Sequence, residues 1–286
     1  MPGERSTSTS TYPMIYRTYT PQPRLAAFVE TLWLYEGFNP PHTKERRLPD
    51  GSMELVINLH EDAIRLYDPQ HLDQFRSVRG CVISGAHTRY VVLDTASQSS
   101  IVGIHFKAGG AFPFLNLPAS RLRDETVSLD EIWGAVTNEL RDQLREAQSP
   151  ETRFRILEHS LLAQLARPQT RHPAVAFALK EFQNITQTRT IADVTGQIGL
   201  SPKRFISIFS KEVGLTPKLF CRIRRFQAAL QQTRCGKQVD WAEIALTCGY
   251  FDQAHFIHDF QAFSGFNPGA YLRHQGEHLN HVPLPD

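Results

Sequence analysis

No apolar run in the chain approaches the ~18–20 residues needed to cross a bilayer, so no membrane span is expected. The first residues, MPGERSTSTSTYP, carry an early basic residue with no apolar stretch behind it, which argues against an export signal. Residues 1–13 read instead as a short polar arm. Cysteine is scarce and scattered: Cys81, Cys221, Cys235 and Cys248 form no Cys-x-x-Cys pair, which excludes a zinc ribbon or a dithiol redox centre. Free thiols in a reducing cytoplasm are expected. Net charge is nearly absent, 31 Lys and Arg against 29 Asp and Glu leaving +2. With 41% apolar residues, 21% charged and a mean hydropathy of −0.33, the 286 residues read as a globular chain. At ~100–200 residues per domain they make roughly two domains.

That near-neutrality hides an uneven distribution. Between Ser201 and Lys237 stand nine Lys and Arg against one acid, Glu212, a local +8 that leaves −6 for the rest. Such a concentration is the electrostatic footprint expected for a polyanion, the plain alternative being a solvated helix face.

The first half reads as β-rich. Behind the turn Pro49-Asp50-Gly51, Met53, Leu55, Ile57 and Leu59 alternate with Glu54, Asn58 and His60. Further strand candidates run over 80–84, 89–93 and 100–106, the last ended by Gly109-Gly110, so a small antiparallel sandwich or barrel is expected. Apolar residues then fall three or four apart from 130 to 146, and a second helical stretch covers about 152–165. Prolines break the periodicity at 166–173, which reads as a linker between a domain at 14–165 and one at 174–274, with a tail at 275–286.

The second domain contains an internal repeat. A shift of 51 residues superimposes Phe205 on Phe256, Phe209 on Phe260, Gly214 on Gly265, Pro217 on Pro268 and Phe220 on Tyr271. Each copy reads as two short helices around a Gly turn with a Gly-x-x-Pro exit: 191–197 with 201–213, and 241–247 with 252–264. Residues 217–233 between the copies put Leu219, Phe220, Ile223, Phe226 and Leu230 on one stripe, a linking helix of ~24 Å.

The run Ile244-Ala245-x-x-x-Gly249-Tyr250-x-Asp252-Gln253-x-His255-Phe256-x-x-x-Phe260, followed by Gly265-x-x-Pro268-x-x-Tyr271, resembles the C-terminal DNA-binding domain of the AraC/XylS family of bacterial transcription regulators. Gly199-x-Ser201-Pro202-x-x-Phe205-x-x-x-Phe209 with Gly214-x-x-Pro217 is similar to that family's first helix-turn-helix. The resemblance covers about 172–274. It implies an α+β chain: a β-rich domain with trailing helices, then an all-α domain of two helix-turn-helix units joined by a linker helix. It implies sequence-specific promoter binding by a cytoplasmic, nucleoid-associated regulator. Thr195-Gly196 departs from the family's small helix-forming residues and predicts a looser first helix. Ile257 and His258 stand where Ser and Arg are frequent, which leaves the second head a weaker guanine reader.

On the first reading helix Phe205, Ile208 and Phe209 form the buried stripe, so Lys203, Arg204, Ile206, Ser207 and Lys211 point outward. Lys203 and Ser207 are candidates for base edges, Arg204 for phosphate and Ile206 for a thymine methyl. On the second, Gln253, Ala254, Ile257 and His258 face outward, Gln253 being able to pair with adenine, while Asp252 reads as the N-cap. Of Arg222, Arg224 and Arg225 on the linking helix, at least one is expected to pair with an acid, leaving Arg224 and Arg225 for phosphate.

The remaining histidines carry weaker expectations. His274, His278 and His281 read as a solvated tail rather than a metal site. His60, His87 and His105 could meet inside a barrel, although no His-Glu-x-x-His signature accompanies them. No cofactor, metal or catalytic set is assigned. Segments 49–58 and 103–115 look like the uncharacterised N-terminal domain of a subset of AraC/XylS regulators, which implies a small-molecule effector, a homodimer, or both. The expected partners are double-stranded promoter DNA, an effector held by Phe, Trp and Tyr side chains and, for an activator, RNA polymerase. Two alternatives stand beside this reading: a cupin-like metal-dependent enzyme with an accessory helical domain, and a non-specific architectural DNA binder.

Overall fold

The computed structural model describes residues 14–165, 171–183, 190–234, 239–276 and 278–284. Its first part is two antiparallel sheets. One has the order β1 (Ile15–Tyr19), β2 (Val29–Glu36), β9 (Ser100–Phe106), β4 (Glu54–Asn58), β7 (Cys81–Ser84), β10 (Thr126–Ser128). The other runs β11 (His281–Leu284), β3 (Lys44–Arg47), β8 (Val91–Asp94), β5 (Ile64–Tyr67), β6 (Phe75–Val78). Alternation along the six-stranded sheet separates two chemistries. Leu32, Leu34, Leu55, Ile57, Val102, Ile104 and Phe106 are buried in the main apolar core. Thr31, Trp33, Tyr35, Glu54, Val56, Ile101 and His105 instead line a cavity between the sheets. Gly103 has no side chain because the indole of Trp33 crosses it; a Cβ there would lie 2.3 Å from the ring.

Helices α1 (Asp130–Trp133), α2 (Val136–Glu146) and α3 (Pro150–Gln164) follow the strands. The single helix expected over 130–146 is broken at Gly134, whose φ of +73° ends α1. Leu140 and Leu144 of α2 and Phe154, Leu157 and Leu161 of α3 join the apolar core, α3 packing on β2. Residues 166–170 of the expected linker lie outside the described residues, as do the arm at 1–13 and Cys235. Cys81, Cys221 and Cys248 are unpaired, with burial pushing their thiols up to about 12, 11 and 11.

The second part is α4 (Pro173–Gln183), α5 (Ile191–Ile198), α6 (Pro202–Val213), α7 (Pro217–Gln232), α8 (Trp241–Thr247), α9 (Gln253–Ser264) and α10 (Pro268–His274). The repeat is legible in the capping chemistry. Gly214 and Gly265 end α6 and α9 at φ +88° and +72°; two residues on, Thr216 and Asn267 cap the next helices, each with Pro at its first turn. Asp252 caps α9 as expected, accepting from the His255 amide at 2.7 Å. The first helix of the pair, α5, is continuous through Gly196, and nothing lies within 4 Å of where a Cβ would project there. Gly196→Ala is therefore expected to raise stability by about 1 kcal/mol, read from the melting temperature. No change, or a loss, would show that the position needs glycine.

The two parts share one contiguous apolar core. Gly51, at φ +86°, lets the Pro49–Ser52 turn close on the linking helix: a Cβ there would lie 3.2 Å from Phe220 and 3.7 Å from Ile223. Arg46 of β3 stacks on Tyr90 and Phe266, 4.4 and 3.9 Å from the ring centres, and donates to the Ser264 carbonyl at the end of α9.

The chain end corrects the sequence reading. Residues 275–286 are not a solvated tail throughout: β11 pairs antiparallel with β3, from His281 opposite Arg47 to Leu284 opposite Lys44. Val282 and Leu284 are buried, and Pro283 is tolerated because β11 is an edge strand.

Candidate functional site

Ser201, accepting from the Arg204 amide, opens α6, and Phe205, Ile208 and Phe209 turn inward. Lys203, Arg204, Ile206 and Ser207 are all exposed, with Ile206 at 43% an unusual apolar group to leave in water. On α9 Phe256 and Phe260 are buried against Trp241, Tyr271 and the α7 residue Phe226, while Gln253, Ala254, Ile257 and His258 are exposed. Each copy of the repeat thus presents its second helix outward, with expected reading residues on the open side.

The +8 stretch is less uniform than its sequence suggests. Arg222 is committed to the buried carboxylate of Asp259, its Nη2 donating at 2.6 Å. His255 and His258 also border Asp259, at 3.8 and 3.7 Å, which gives His255 a structural place beside Tyr250. Lys211, on the same face as Lys203 but two turns on, has its ammonium 5.7 Å above the ring of Phe112 in the first domain. Lys211 is nevertheless exposed, so the same side chain remains open to solvent. Arg225 lies over the Tyr250 ring at 5.1 Å and reaches the Gly249 carbonyl at 3.4 Å, and Arg224 is half-buried. Arg234 donates to the Gly276 carbonyl, and Lys237 lies outside the described residues. Among the described residues the exposed cations of the stretch are Lys203, Arg204, Lys211, Lys218 and Arg234, with Arg224 and Arg225 half-buried.

Two exposed apolar residues escaped the sequence reading. Phe251, 91% exposed, directly precedes the cap of α9, and Leu246, 77% exposed, stands on α8. Their signal was available: neither fits the apolar stripe of its helix pair.

The second site is the cavity of about 270 Å³ between the sheets. Val56, Ile64, Leu66, Val82, Leu93 and Ile101 form its apolar side. Its polar side is a set of matched charges. Arg47 contacts Glu54 at 2.7 Å, and the Trp33 indole N–H donates to Glu54 at 3.0 Å. His105 sits 3.6 Å from both Asp50 and Glu54. Burial pushes the Glu54 carboxyl up, but Arg47 and His105 outweigh it and hold the group down at about 2. Tyr35 is 2.9 Å from His278, and His281 is 2.6 Å from Glu45. The expected Phe lining is not found here: the aromatic lining is Trp and Tyr, and His60, His87 and His105 do not meet. His105 faces this cavity, His60 borders a separate groove, and His87 is buried on Ser84 with its imidazole lowered to about 4 by burial and by Arg47. No group of three or more His, Cys, Asp or Glu is placed to hold a metal among the described residues.

The Glu45–His281 pair fastens β11 to β3 and makes that contact pH-dependent. Burial raises Glu45, but His281 and Gln98 reverse this and hold it at about 2, so its contribution is present above the ordinary 4.5 and is lost as pH falls toward 2. Burial lowers His281, but Glu45 more than compensates, so its contribution is full below 6.5 and is lost as pH rises through the raised value. Protection of amides 281–284, corrected for intrinsic exchange, is expected to be greatest between about pH 4.5 and 6.5 and to fall as pH rises through the raised value of His281. Protection that stays unchanged from that window into alkaline solution would contradict the pairing.

Cavity and reading heads are mechanically joined. Gln227, buried on α7, donates to the Pro49 carbonyl at 2.8 Å and to Asn280 Oδ1 at 2.9 Å. It therefore grips both the turn carrying Asp50 and the segment carrying His278 and His281.

Paired helix-turn-helix units on a shared linking helix, with exposed basic and amide-bearing second helices, define a DNA-binding protein. A helix-turn-helix domain family matches residues 194–274, and a domain family of unknown function matches 17–128. The carboxy-terminal part is a helix-turn-helix domain. No curated protein matches the chain. Among solved structures it is similar to ToxT from Vibrio cholerae, at 11% identity over 90% of this chain and 98% of that one, TM-score 0.45. It is also similar to ToxT from V. cholerae strain SCE256 bound to an unsaturated fatty acid, at 13% identity over 84% and 93%, TM-score 0.44. The C-terminal domain of AraT, a response regulator from Geobacillus stearothermophilus, is 22% identical over 38% of this chain and 97% of that one, TM-score 0.34.

Proposed function

We propose that the chain binds promoter DNA through two adjacent major-groove contacts and changes that binding when a small molecule occupies the cavity of its first domain. The observation that carries the DNA half is the repeat: two outward second helices on a single ~24 Å linking helix, a length suited to contacts about one duplex turn apart on one face. Lys203 and Ser207 reach base edges, Ile206 presses on a thymine methyl, and Arg204, Arg224 and Arg225 hold phosphate. On the second helix Gln253 pairs with adenine, and Ala254, Ile257 and His258 complete the contact. Phe251 adds an apolar contact at the groove edge. The effector half rests on the cavity and its grip on α7. No catalytic step is assigned; the protein acts at the nucleoid, as a homodimer where half-sites are paired and with RNA polymerase where it activates.

Genome-wide mapping of bound sites tests this reading. It predicts a limited set of promoter-proximal sites sharing a two-part motif with halves about 10–10.5 base pairs apart. Uniform occupancy without a shared motif would identify an architectural binder.

A further inference from the structure

The effector cavity has a wall that the first domain does not supply. Four of its lining residues, His278, Leu279, Asn280 and His281, follow α10, beyond the second helix-turn-helix. They are held from both sides. The Leu48 amide donates to the Asn280 carbonyl at 2.8 Å, the buried Tyr271 hydroxyl of α10 donates to the Leu279 carbonyl at 3.1 Å, and Gln227 donates to Asn280. Beyond them β11 completes the five-stranded sheet. A molecule in the cavity thus touches the same stretch of chain that carries the second reading head back into the first domain.

The walls also restrict what that molecule is. Each carboxylate facing the cavity has a basic side chain in contact: Glu54 has Arg47, Asp50 has His105 and Asp94 has Arg65. Glu45, behind His281, is matched by that ring. An anion entering this space would face carboxylates with no free cation, and a cation would have to break an existing pair, each leaving a buried charge uncompensated. The opposite side is aliphatic, and Trp33 and Tyr35 also line the space. A dry cavity of about 150 Å³ accepts a benzene ring. One of about 270 Å³ accepts roughly two fused rings.

We propose that the effector is an uncharged, largely apolar molecule of about two fused rings, and that it acts by fixing segment 278–284 between the sheets, so that occupancy of the cavity sets how the second reading head is tied to the first domain. This rests on the regulator reading and names its ligand class and its coupling segment.

The test uses the full-length protein and three congeners of one shape: indole, indole-3-carboxylate and protonated tryptamine. Calorimetry at neutral pH is expected to give indole at least a tenfold tighter affinity than either charged congener. Saturating indole is expected to slow amide exchange at 281–284 by severalfold or more. Val56→Phe, which fills the cavity, is expected to abolish indole binding while its exchange pattern elsewhere stays that of the folded chain. Equal or tighter binding of a charged congener, binding of none of the three, unchanged exchange at 281–284, or undiminished binding by Val56→Phe would each overturn the proposal. Affinity for duplex DNA from the chain's own upstream region is measured on the same samples. Specific DNA binding with a negative indole result removes this inference alone, whereas absence of specific DNA binding removes the regulator reading.

Discussion

Replacing Lys203 and Arg204 together by alanine is expected to weaken binding to operator DNA by roughly 30- to 100-fold at fixed salt, from ~1 kcal/mol or more for each lost contact. Replacing Gln253 and His258 together is expected to cost less. The reason is the division of charge between the heads. The first carries both exposed cations at the start of α6, the end that enters the groove. The second has no Lys or Arg between Asp252 and Ser264, and its one internal acid, Asp259, is spent on Arg222. The first double replacement should also flatten the dependence of log affinity on log salt by about 0.9 for each phosphate contact removed, while the second leaves the slope nearly unchanged. Fluorescence anisotropy across a salt series reads both effects. The opposite ranking, or a salt-independent affinity in the parent chain, would overturn this division of labour.

Arg222→Ala is expected to destabilise the second domain by about 3–5 kcal/mol, since it strands a carboxylate at the centre of the helical core. Asp259 is 1% exposed, and the guanidinium that meets it also lies 5.3 Å from the Phe263 ring. His255 and His258 are nearby but are directed at the same carboxylate from 3.8 and 3.7 Å, farther than the 2.6 Å of the arginine bond. For a chain of this size the loss corresponds to roughly 6–15 °C in melting temperature. Because the pair joins α7 to α9, weakened DNA binding should accompany it even at temperatures where the variant is folded. A change below about 1 °C would mean that the histidines replace the arginine.

The carboxy-terminal fold was legible because its signals are local. Helical periodicity, Gly at the ends of α6 and α9, and Thr216-Pro217 and Asn267-Pro268 at the next starts are each readable within a few residues. The first domain was legible only where a strand has one apolar face, as β4 and β9 do. Strand β3 reads Lys-Glu-Arg-Arg and offers no apolar period, because Glu45 and Arg47 are matched by His281 and Glu54 from other strands. The polar side of the cavity was invisible for the same reason. His105, Asp50 and His281 are far apart in sequence, and the strand at 281–284 contains a proline that reads as loop. The DNA surface shows the complementary limit: spacing told which residues point outward, but only packing showed that it is Arg222 that is committed to Asp259.

The most direct test of the central claim compares, at one fixed salt concentration, the affinity of the full chain for duplex DNA from its own upstream region with its affinity for a shuffled duplex of the same composition. A sequence-reading regulator with two heads predicts at least a 10³-fold preference for the former. Equal affinities for the two duplexes would contradict it.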